Sequence, residues 1–259
     1  MTTTNSKNWK KIYKKARPLD LVLFKGTDPV SDLVSLAEDT RLGDGEFSHC
    51  GVIINSSILP NVPQLIKGKK YIWESTCSLE FDMFDLPVNV ETGKGKLGVQ
   101  IRQFDEVLKS YLSSTGAKVA LCPLISNPWL KSKNKNQGPS KKSIKRICNK
   151  FHAQYGASTY NGSPISLLST VFPCLRPIRY TLKELDVNGC VLLNTMGIDS
   201  SSSHMYKWMF CSELVGTLYR RLAIIPKSID PENLAPTDFL GKNPDRCPCV
   251  VSVIIQAHL

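Results

Sequence analysis

The sequence predicts an α+β fold rather than a doubly wound parallel sheet, and two observations support this prediction. Apolar runs typical of strands and stretches with the 3.6-residue apolar period of helices both occur, but they do not alternate regularly as β-α-β units would. Hydrophobic residues make up 42% of the 259 residues, which is enough for a sizeable buried core and excludes wholesale disorder.

The first residues of the chain are strongly basic and include a few apolar side chains. Five lysines (Lys7, Lys10, Lys11, Lys14 and Lys15) surround Trp9, Ile12 and Tyr13. This pattern fits a short basic helix lying on an anionic surface, and it also fits a solvated tail that docks through its aromatic residues. We favour the tail, and therefore predict a basic N-terminal tail at 1–17 followed by a single domain at 18–259.

In the first half of that domain, strands are predicted where short apolar runs are bounded by Gly or Pro, and helices where the apolar period is 3.6 residues. The predicted strands are Leu19 to Phe24, Cys50 to Ile54, Lys70 to Ser75 and Gly98 to Arg102. The predicted helices are Val30 to Ala37 and Phe104 to Leu112. The second and third strands are near in sequence, so they could pair.

The second half begins with a strand at Lys118 to Cys122, which Pro123 ends. Residues 131–142 are polar, basic and rich in turn formers, and this composition predicts an exposed loop. A helix follows at Ser143 to Tyr155, and a loop-rich stretch then extends to about 207. Two elements complete the chain, a strong amphipathic helix at Ser212 to Leu222 and a strand at Val250 to Ile255.

Charge and cysteine content narrow the choice of partners and compartment. Lys and Arg number 33 against 22 Asp and Glu, a formal net charge of +11 that favours anionic partners such as nucleic acid, an acidic membrane face or an acidic protein. The first residues lack the apolar stretch of a signal peptide, and no apolar run approaches the length of a membrane span. With nine cysteines, an odd count, we expect free thiols in a soluble intracellular protein.

Cys211 is the strongest candidate for a nucleophile. It lies where a turn-rich stretch gives way to the amphipathic helix at Ser212 to Leu222. A cysteine at a helix N-terminus is next to the positive end of the helix dipole, which favours its thiolate and lowers its pKa. Taken alone, such a cysteine is more commonly a buried structural residue.

A thiol nucleophile needs a base, and that base usually needs a third group to orient it. Of the four histidines, His49 is the best placed, because it stands at the start of an apolar strand where its backbone would be fixed. Glu74 is a lone carboxylate in the next strand, and neighbouring strands lie about 4.8 Å apart, so the two side chains could meet on one face. Either residue taken alone could equally be structural.

Four short segments, read in order, resemble the permuted papain-like cysteine hydrolases. The segments are Asp20-Leu-Val-Leu-Phe, Ser48-His-Cys-Gly-Val-Ile, Trp73-Glu-Ser and Phe210-Cys-Ser-Glu-Leu-Val. The family is the YiiX/YebB-like branch of the NlpC superfamily, which has members in bacteria and in large DNA viruses such as poxviruses. Tyr155-Gly156 to Tyr160-Asn161 and Pro236-Thr-Asp-Phe also resemble elements of that branch, the second only weakly. The family usually has Gly-Asp where this chain has Leu19-Asp20.

The resemblance implies a circularly permuted papain-like fold, in which an antiparallel sheet packs against a helix with the nucleophilic cysteine at its N-terminus. By that analogy Cys211 is the nucleophile, His49 the general base and Glu74 the orienting residue. The implied activity is acyl transfer through a thioester, which makes the chain a cysteine hydrolase or acyltransferase. The substrate is then an amide or ester, which includes peptide and lipid substrates.

No cofactor and no metal is expected. The only closely spaced cysteine pair, Cys247-Pro-Cys249, lacks the second half of a zinc site, and the glycines at 93–98 do not have the spacing of a phosphate-binding loop.

The alternative to catalysis is a structural or virion-associated protein that keeps the fold. Such a protein would dock on a membrane or, non-specifically, on nucleic acid through its basic segments. The same segments could also bring an enzyme to an anionic membrane that holds a lipid substrate. An intact Cys, His and Glu set favours activity. No zinc finger, helix-turn-helix or aromatic RNA-binding signature accompanies the positive charge.

Overall fold

The computed structural model describes residues 5–26, 47–76, 87–94, 98–113, 116–130, 139–158, 209–241 and 255–258. Four predictions fall wholly or largely outside these ranges. They are the helix at Val30 to Ala37, the exposed basic loop at 131–142 except its last four residues, the loop-rich stretch after 158, and the strand at Val250 to Ile255 except its last residue.

The described elements follow the predicted order closely. The strands are β1 (Leu21–Lys25), β2 (His49–Ile54), β3 (Tyr71–Thr76), β4 (Gly98–Gln103), β5 (Lys118–Cys122) and β6 (Ile255–His258). The helices are α1 (Asn5–Lys15), α2 (Phe104–Tyr111), α3 (Lys141–Tyr155) and α4 (Cys211–Arg221), with short 3₁₀ turns at Pro231–Asn233 and Pro236–Leu240. Strand β6 starts at the last residue of the strand predicted at Val250 to Ile255, whose earlier residues lie outside the described ranges.

The six strands form one sheet in the order β4-β3-β2-β1-β5-β6, and each neighbouring pair is antiparallel. The prediction of an α+β fold is confirmed. Strands β2 and β3, which are near in sequence, pair as expected, and their register sets Gly51 opposite Glu74.

Each face of the sheet covers a separate apolar core, because successive side chains of a strand point to opposite faces. On one face Leu23, Val52 and Trp73 pack with residues of α3 and α4. On the other face Val22, Ile53 and other apolar residues pack with α1 and α2. Helix α4 lies across β2 and β3, so its first turn is held near the start of β2.

The structure corrects the expectation of a solvated N-terminal tail. Residues Asn5–Lys15 form a helix, and Ile12 and Ala16 are buried in the second core. Tyr13 stacks on Phe104 of α2 with ring centroids 6.0 Å apart, and the Lys70 ammonium donates hydrogen bonds to the carbonyls of Tyr13 and Lys14. The apolar residues recur at helical spacing among the lysines, and this stripe, rather than the charge, determines where the segment lies.

The corner before β1 depends on an unusual backbone conformation at Leu19. Leu19 has a φ of 71°, in the left-handed region, and its side chain is fully buried. Its carbonyl accepts a hydrogen bond from the Tyr219 hydroxyl of α4 at 2.8 Å. The next residue, Asp20, is also buried and forms an ion pair with Arg17 at 2.9 Å. Leucine therefore contributes core packing here at the cost of backbone strain, typically about 1–2 kcal/mol.

At Leu19 we expect the glycine variant to be more stable than the alanine variant, which reverses the usual order of stability. Leu19→Ala should lower the free energy of unfolding by about 2–5 kcal/mol, because a buried side chain is lost while the strained φ remains. Leu19→Gly loses the same packing but relieves the strain, so it should be the more stable variant by up to about 1 kcal/mol. Urea unfolding of both variants tests this, and an alanine variant as stable as the glycine variant would contradict it.

Candidate active site

Cys211 is the first residue of α4, one position earlier than the helix was predicted to begin. Phe210 before it is extended, so the chain turns into the helix directly at the cysteine. The thiol is buried with 5% of the residue exposed, and it stands at the positive end of the helix dipole. The position at the start of a helix is the one expected of a nucleophilic thiol, whereas burial alone is typical of a structural cysteine.

His49 is the first residue of β2, and its imidazole meets Glu74 on the neighbouring strand. The distance from His49 Nε2 to Glu74 Oε2 is 2.7 Å. An ionised carboxylate only accepts hydrogen bonds, so Nε2 is the donor, and Nδ1 is the nitrogen left for Cys211. The structure thus brings together the three residues that the sequence singled out.

Gly51 is what lets the two strands approach at this point. It lies opposite Glu74, and a Cβ on it would come within 2.7 Å of the Ile72 side chain and 3.1 Å of the Glu74 Cβ. Any larger residue would push β3 away from β2. The glycine of the Ser-His-Cys-Gly segment therefore has a packing reason.

Arg102 of β4 holds the second oxygen of Glu74. Its Nε donates a hydrogen bond to Glu74 Oε1 at 2.6 Å, and both side chains are almost completely buried. Arg102 was not predicted as a site residue. A signal was present, because Gln100 and Arg102 alternate with Val99 and Ile101 and so place two polar side chains on one face of a buried strand.

The buried charges shift the pKa values of both His49 and Glu74. Burial by itself would lower the pKa of His49, but the charge of Cys211 and the contacts with Cys211 and Glu74 raise it to about 9. Burial alone would raise the pKa of Glu74, but the charge of Arg102 and the hydrogen bond with His49 lower it to about 2. Around neutral pH His49 is therefore an imidazolium and Glu74 a carboxylate.

The pKa of Cys211 is held well below the ordinary value for a thiol. A hydrogen bond from Cys50 lowers this pKa, burial opposes that effect, and the charge and hydrogen bond of His49 lower it further. Cys50 was not predicted as a site residue, although it is the neighbour of His49 in sequence. For comparison, burial without charged partners raises the pKa of Cys148 on α3 to about 12. The resting site is therefore a thiolate–imidazolium pair.

Two serines and one carboxylate fix the chain around Cys211. The Ser75 hydroxyl of β3 donates to the carbonyl of Met209, and the Ser212 hydroxyl donates to the carbonyl of Leu234 at 2.6 Å. Glu213 accepts a hydrogen bond from the Phe210 N–H at 3.4 Å. These contacts lock the residues on both sides of the cysteine, so the first turn of α4 has little freedom to move.

The Pro236-Thr-Asp-Phe segment supports the same helix from outside the site. The Asp238 carboxylate accepts a hydrogen bond from the Ala235 N–H at 2.8 Å, and this contact starts the 3₁₀ turn. Phe239 then packs edge-on against Tyr219 of α4, with ring centroids 6.0 Å apart. The contribution of this segment is to packing.

The other histidines do not join this cluster within the described structure. His152 of α3 lies 3.1 Å from Glu91 and is half-buried. His204 and the side chain of His258 fall outside the described residues, as do Cys247 and Cys249.

No family model, curated protein or solved structure matches the chain.

Two further properties bear on ligands and membranes. Among the residues that the structure describes, no group of three or more His, Cys, Asp and Glu side chains could hold a metal ion. Within the same ranges no helix has both the length and the apolar character needed to cross a membrane.

Proposed function

We propose that this protein is a cysteine hydrolase or acyltransferase, in which Cys211 is the nucleophile, His49 the general base and acid, and Glu74 the orienting carboxylate. One observation carries the proposal. A thiol at the start of a helix contacts an imidazole whose far nitrogen is fixed at 2.7 Å from a buried carboxylate. The chain order of the three residues is also the one that the resemblance to permuted papain-like hydrolases implies.

The reaction begins with the proton of Cys211 on His49 Nδ1. The Cys211 thiolate attacks the carbonyl carbon of an amide or ester, and a carbon–sulfur bond forms. When the bond to the leaving group breaks, that group takes the proton from His49 and departs, leaving a thioester on Cys211. Water, or an acceptor nucleophile in an acyl transfer, then gives His49 a proton and attacks the thioester. This second attack releases the acyl product and restores the thiolate–imidazolium pair.

The start of α4 supplies the groups that would stabilise the oxyanion. The first N–H groups of a helix have no acceptor within the helix, and they point along its axis toward its N-terminal end. The N–H of Leu214 is the first to bond within α4, to the carbonyl of Phe210 at 2.9 Å. The N–H of Cys211 itself precedes it and is best placed for an oxygen on the attacked carbon.

Trapping the acyl-enzyme tests the proposal. The full chain is incubated with p-nitrophenyl esters and with acyl amides of increasing chain length, and intact mass and peptide mapping locate the acyl group. We expect hydroxylamine-sensitive acylation of Cys211, absent in Cys211→Ala and unchanged in Cys148→Ala. Acylation confined to lysines or to other cysteines would contradict the proposal. The series also shows whether ester or amide bonds, and long or short acyl groups, are preferred.

The non-catalytic alternative predicts that no acyl-enzyme forms on Cys211. A structural or virion-associated protein needs no ion pair between a buried thiol and an imidazole. Burying two charged groups costs desolvation free energy, and we take the presence of the pair as support for a catalytic function. Docking on an anionic membrane or on nucleic acid through the basic segments is compatible with either role. Vesicle binding that does not depend on anionic lipid would count against membrane docking.

A further inference from the structure

We infer that Arg102 is a positioning residue of the proposed active site, which acts through Glu74 to make the buried cluster electrically neutral. This inference rests on the proposed function, because it concerns how the Cys211–His49 pair is maintained. Arg102 does not touch Cys211 in any described contact. Its effect reaches His49, the partner of the thiol, through two hydrogen bonds in series, 2.6 Å from Arg102 to Glu74 and 2.7 Å from Glu74 to His49.

The first step of the argument is the charge count. In the resting site Cys211 and Glu74 are negative, and His49 and Arg102 are positive, so the charges of these four described groups sum to zero. Without Arg102 the same protonation states would leave one uncompensated negative charge in a dry environment. A buried unpaired charge is strongly disfavoured, and such a site would take up a proton instead.

Arg102 also fixes the orientation of the Glu74 carboxylate. Glu74 accepts one hydrogen bond on each oxygen, from Arg102 on Oε1 and from His49 on Oε2, so the carboxylate plane is fixed from both sides. Glu74 is fully buried and lies in the middle of β3, between β2 and β4. If the Arg102 bond were lost, the carboxylate could rotate away from His49. The imidazole would then lose both its orientation and its counter-charge.

The other acidic groups described near the cluster have partners of their own. On α2, which packs against β3 and β4, Asp105 pairs with Lys109 at 3.4 Å and Glu106 accepts a hydrogen bond from Gln103. On α4, Glu213 accepts a hydrogen bond from the Phe210 N–H. Among the described residues, the ion pairs of Glu74 are those with His49 and Arg102. Arg102 is thus its one permanent cation in this part of the chain.

The test is the pH dependence of Cys211 alkylation by iodoacetamide, followed by peptide mapping. In Arg102→Gln the midpoint of the acid side of this profile should rise by about one pH unit, because thiolate formation loses a compensating charge. Arg102→Lys keeps the positive charge, so its midpoint should return most of the way to the wild-type value. Asp20→Asn is the matched control, since it removes another buried carboxylate that is paired with an arginine, the half-exposed Arg17, away from the site. It should lower stability and leave the midpoint unchanged.

A double variant keeps the test decisive if Arg102→Gln folds poorly. Glu74→Gln with Arg102→Gln removes both charges and leaves no unpaired ion. The double variant again leaves the charges of Cys211 and His49 balanced, so if Arg102 acts by compensating Glu74, its midpoint should lie below that of Arg102→Gln and close to that of the wild type. A wild-type midpoint in Arg102→Gln, or a double variant shifted upward by the full pH unit or so expected of Arg102→Gln, would overturn the inference. Failure of the proposed function is recognised separately, because Cys211 would then be unreactive in the wild-type protein.

Discussion

Replacing His49 with alanine is expected to slow the acylation of Cys211 at about pH 7 by about 10²–10⁴-fold, the range typical of a lost general base. The imidazolium lowers the pKa of the thiol, and without it the buried thiol regains its proton. Stopped-flow release of p-nitrophenol measures the effect. The substitution leaves the residues of the first turn of α4 in place, so the loss of rate measures the missing general base and the missing positive charge.

His152→Ala is the matched control for this prediction. His152 likewise lies beside a carboxylate, Glu91, but it is only half-buried and belongs to α3. The control should acylate at the wild-type rate. An equal loss in both variants, or a His49→Ala rate within about threefold of wild type, would remove His49 from the mechanism.

Glu74→Gln should destabilise the protein by about 3–5 kcal/mol near neutral pH, the second large effect that we expect. The substitution leaves the Arg102 guanidinium buried without its anion, and breaking one side of a buried ion pair has effects of this size. Asp105→Asn, which removes a half-exposed ion pair with Lys109, should change stability by no more than about 1 kcal/mol.

The same variant has a pH signature whose sign follows from the two shifted groups. Glu74 has a folded-state pKa of about 2, below its ordinary 4.5, so its stabilisation is complete above 4.5 and is lost as the pH falls toward 2. His49 has a raised pKa of about 9, so its stabilisation is complete below 6.5 and is lost as the pH rises through 9. The free energies of unfolding of the wild type and of Glu74→Gln, measured with urea, should therefore converge as the pH falls toward 2. A difference that stays constant down to about pH 2 would contradict this account.

Much of the sheet and the three proposed site residues could be predicted from the sequence, because each has a local signal. His49 and Glu74 are single polar residues in short apolar strands, and Cys211 precedes the clearest amphipathic helix. The pairing of β2 with β3 followed from their closeness along the chain. Such signals depend on neighbours in sequence.

What could not be predicted depends on contacts between distant segments. The alternation of β4 marks Arg102 as a polar residue in a buried strand, but not Glu74, 28 positions earlier, as its partner. The β3–β4 register sets Arg102 opposite Ile72, and the hydrogen bond to Glu74 is formed diagonally across the pair. The packing of α1 depends on α2, about a hundred residues later, so its lysines suggested a solvated tail. The left-handed backbone at Leu19 gives no sequence signal, because leucine is a residue that normally avoids it.

The most direct test of the central claim is site-resolved alkylation of the wild-type protein at about pH 6, where ordinary thiols are protonated. Cys148 is the internal reference, because its buried thiol has a raised pKa of about 12. If Cys211 is an activated nucleophile, it should be alkylated at least about 100-fold faster in the wild type than in His49→Ala, while Cys148 is labelled at the same slow rate in both proteins. A Cys211 rate that His49→Ala leaves unchanged would contradict a thiolate–imidazolium pair, and with it the proposed acyl-transfer chemistry.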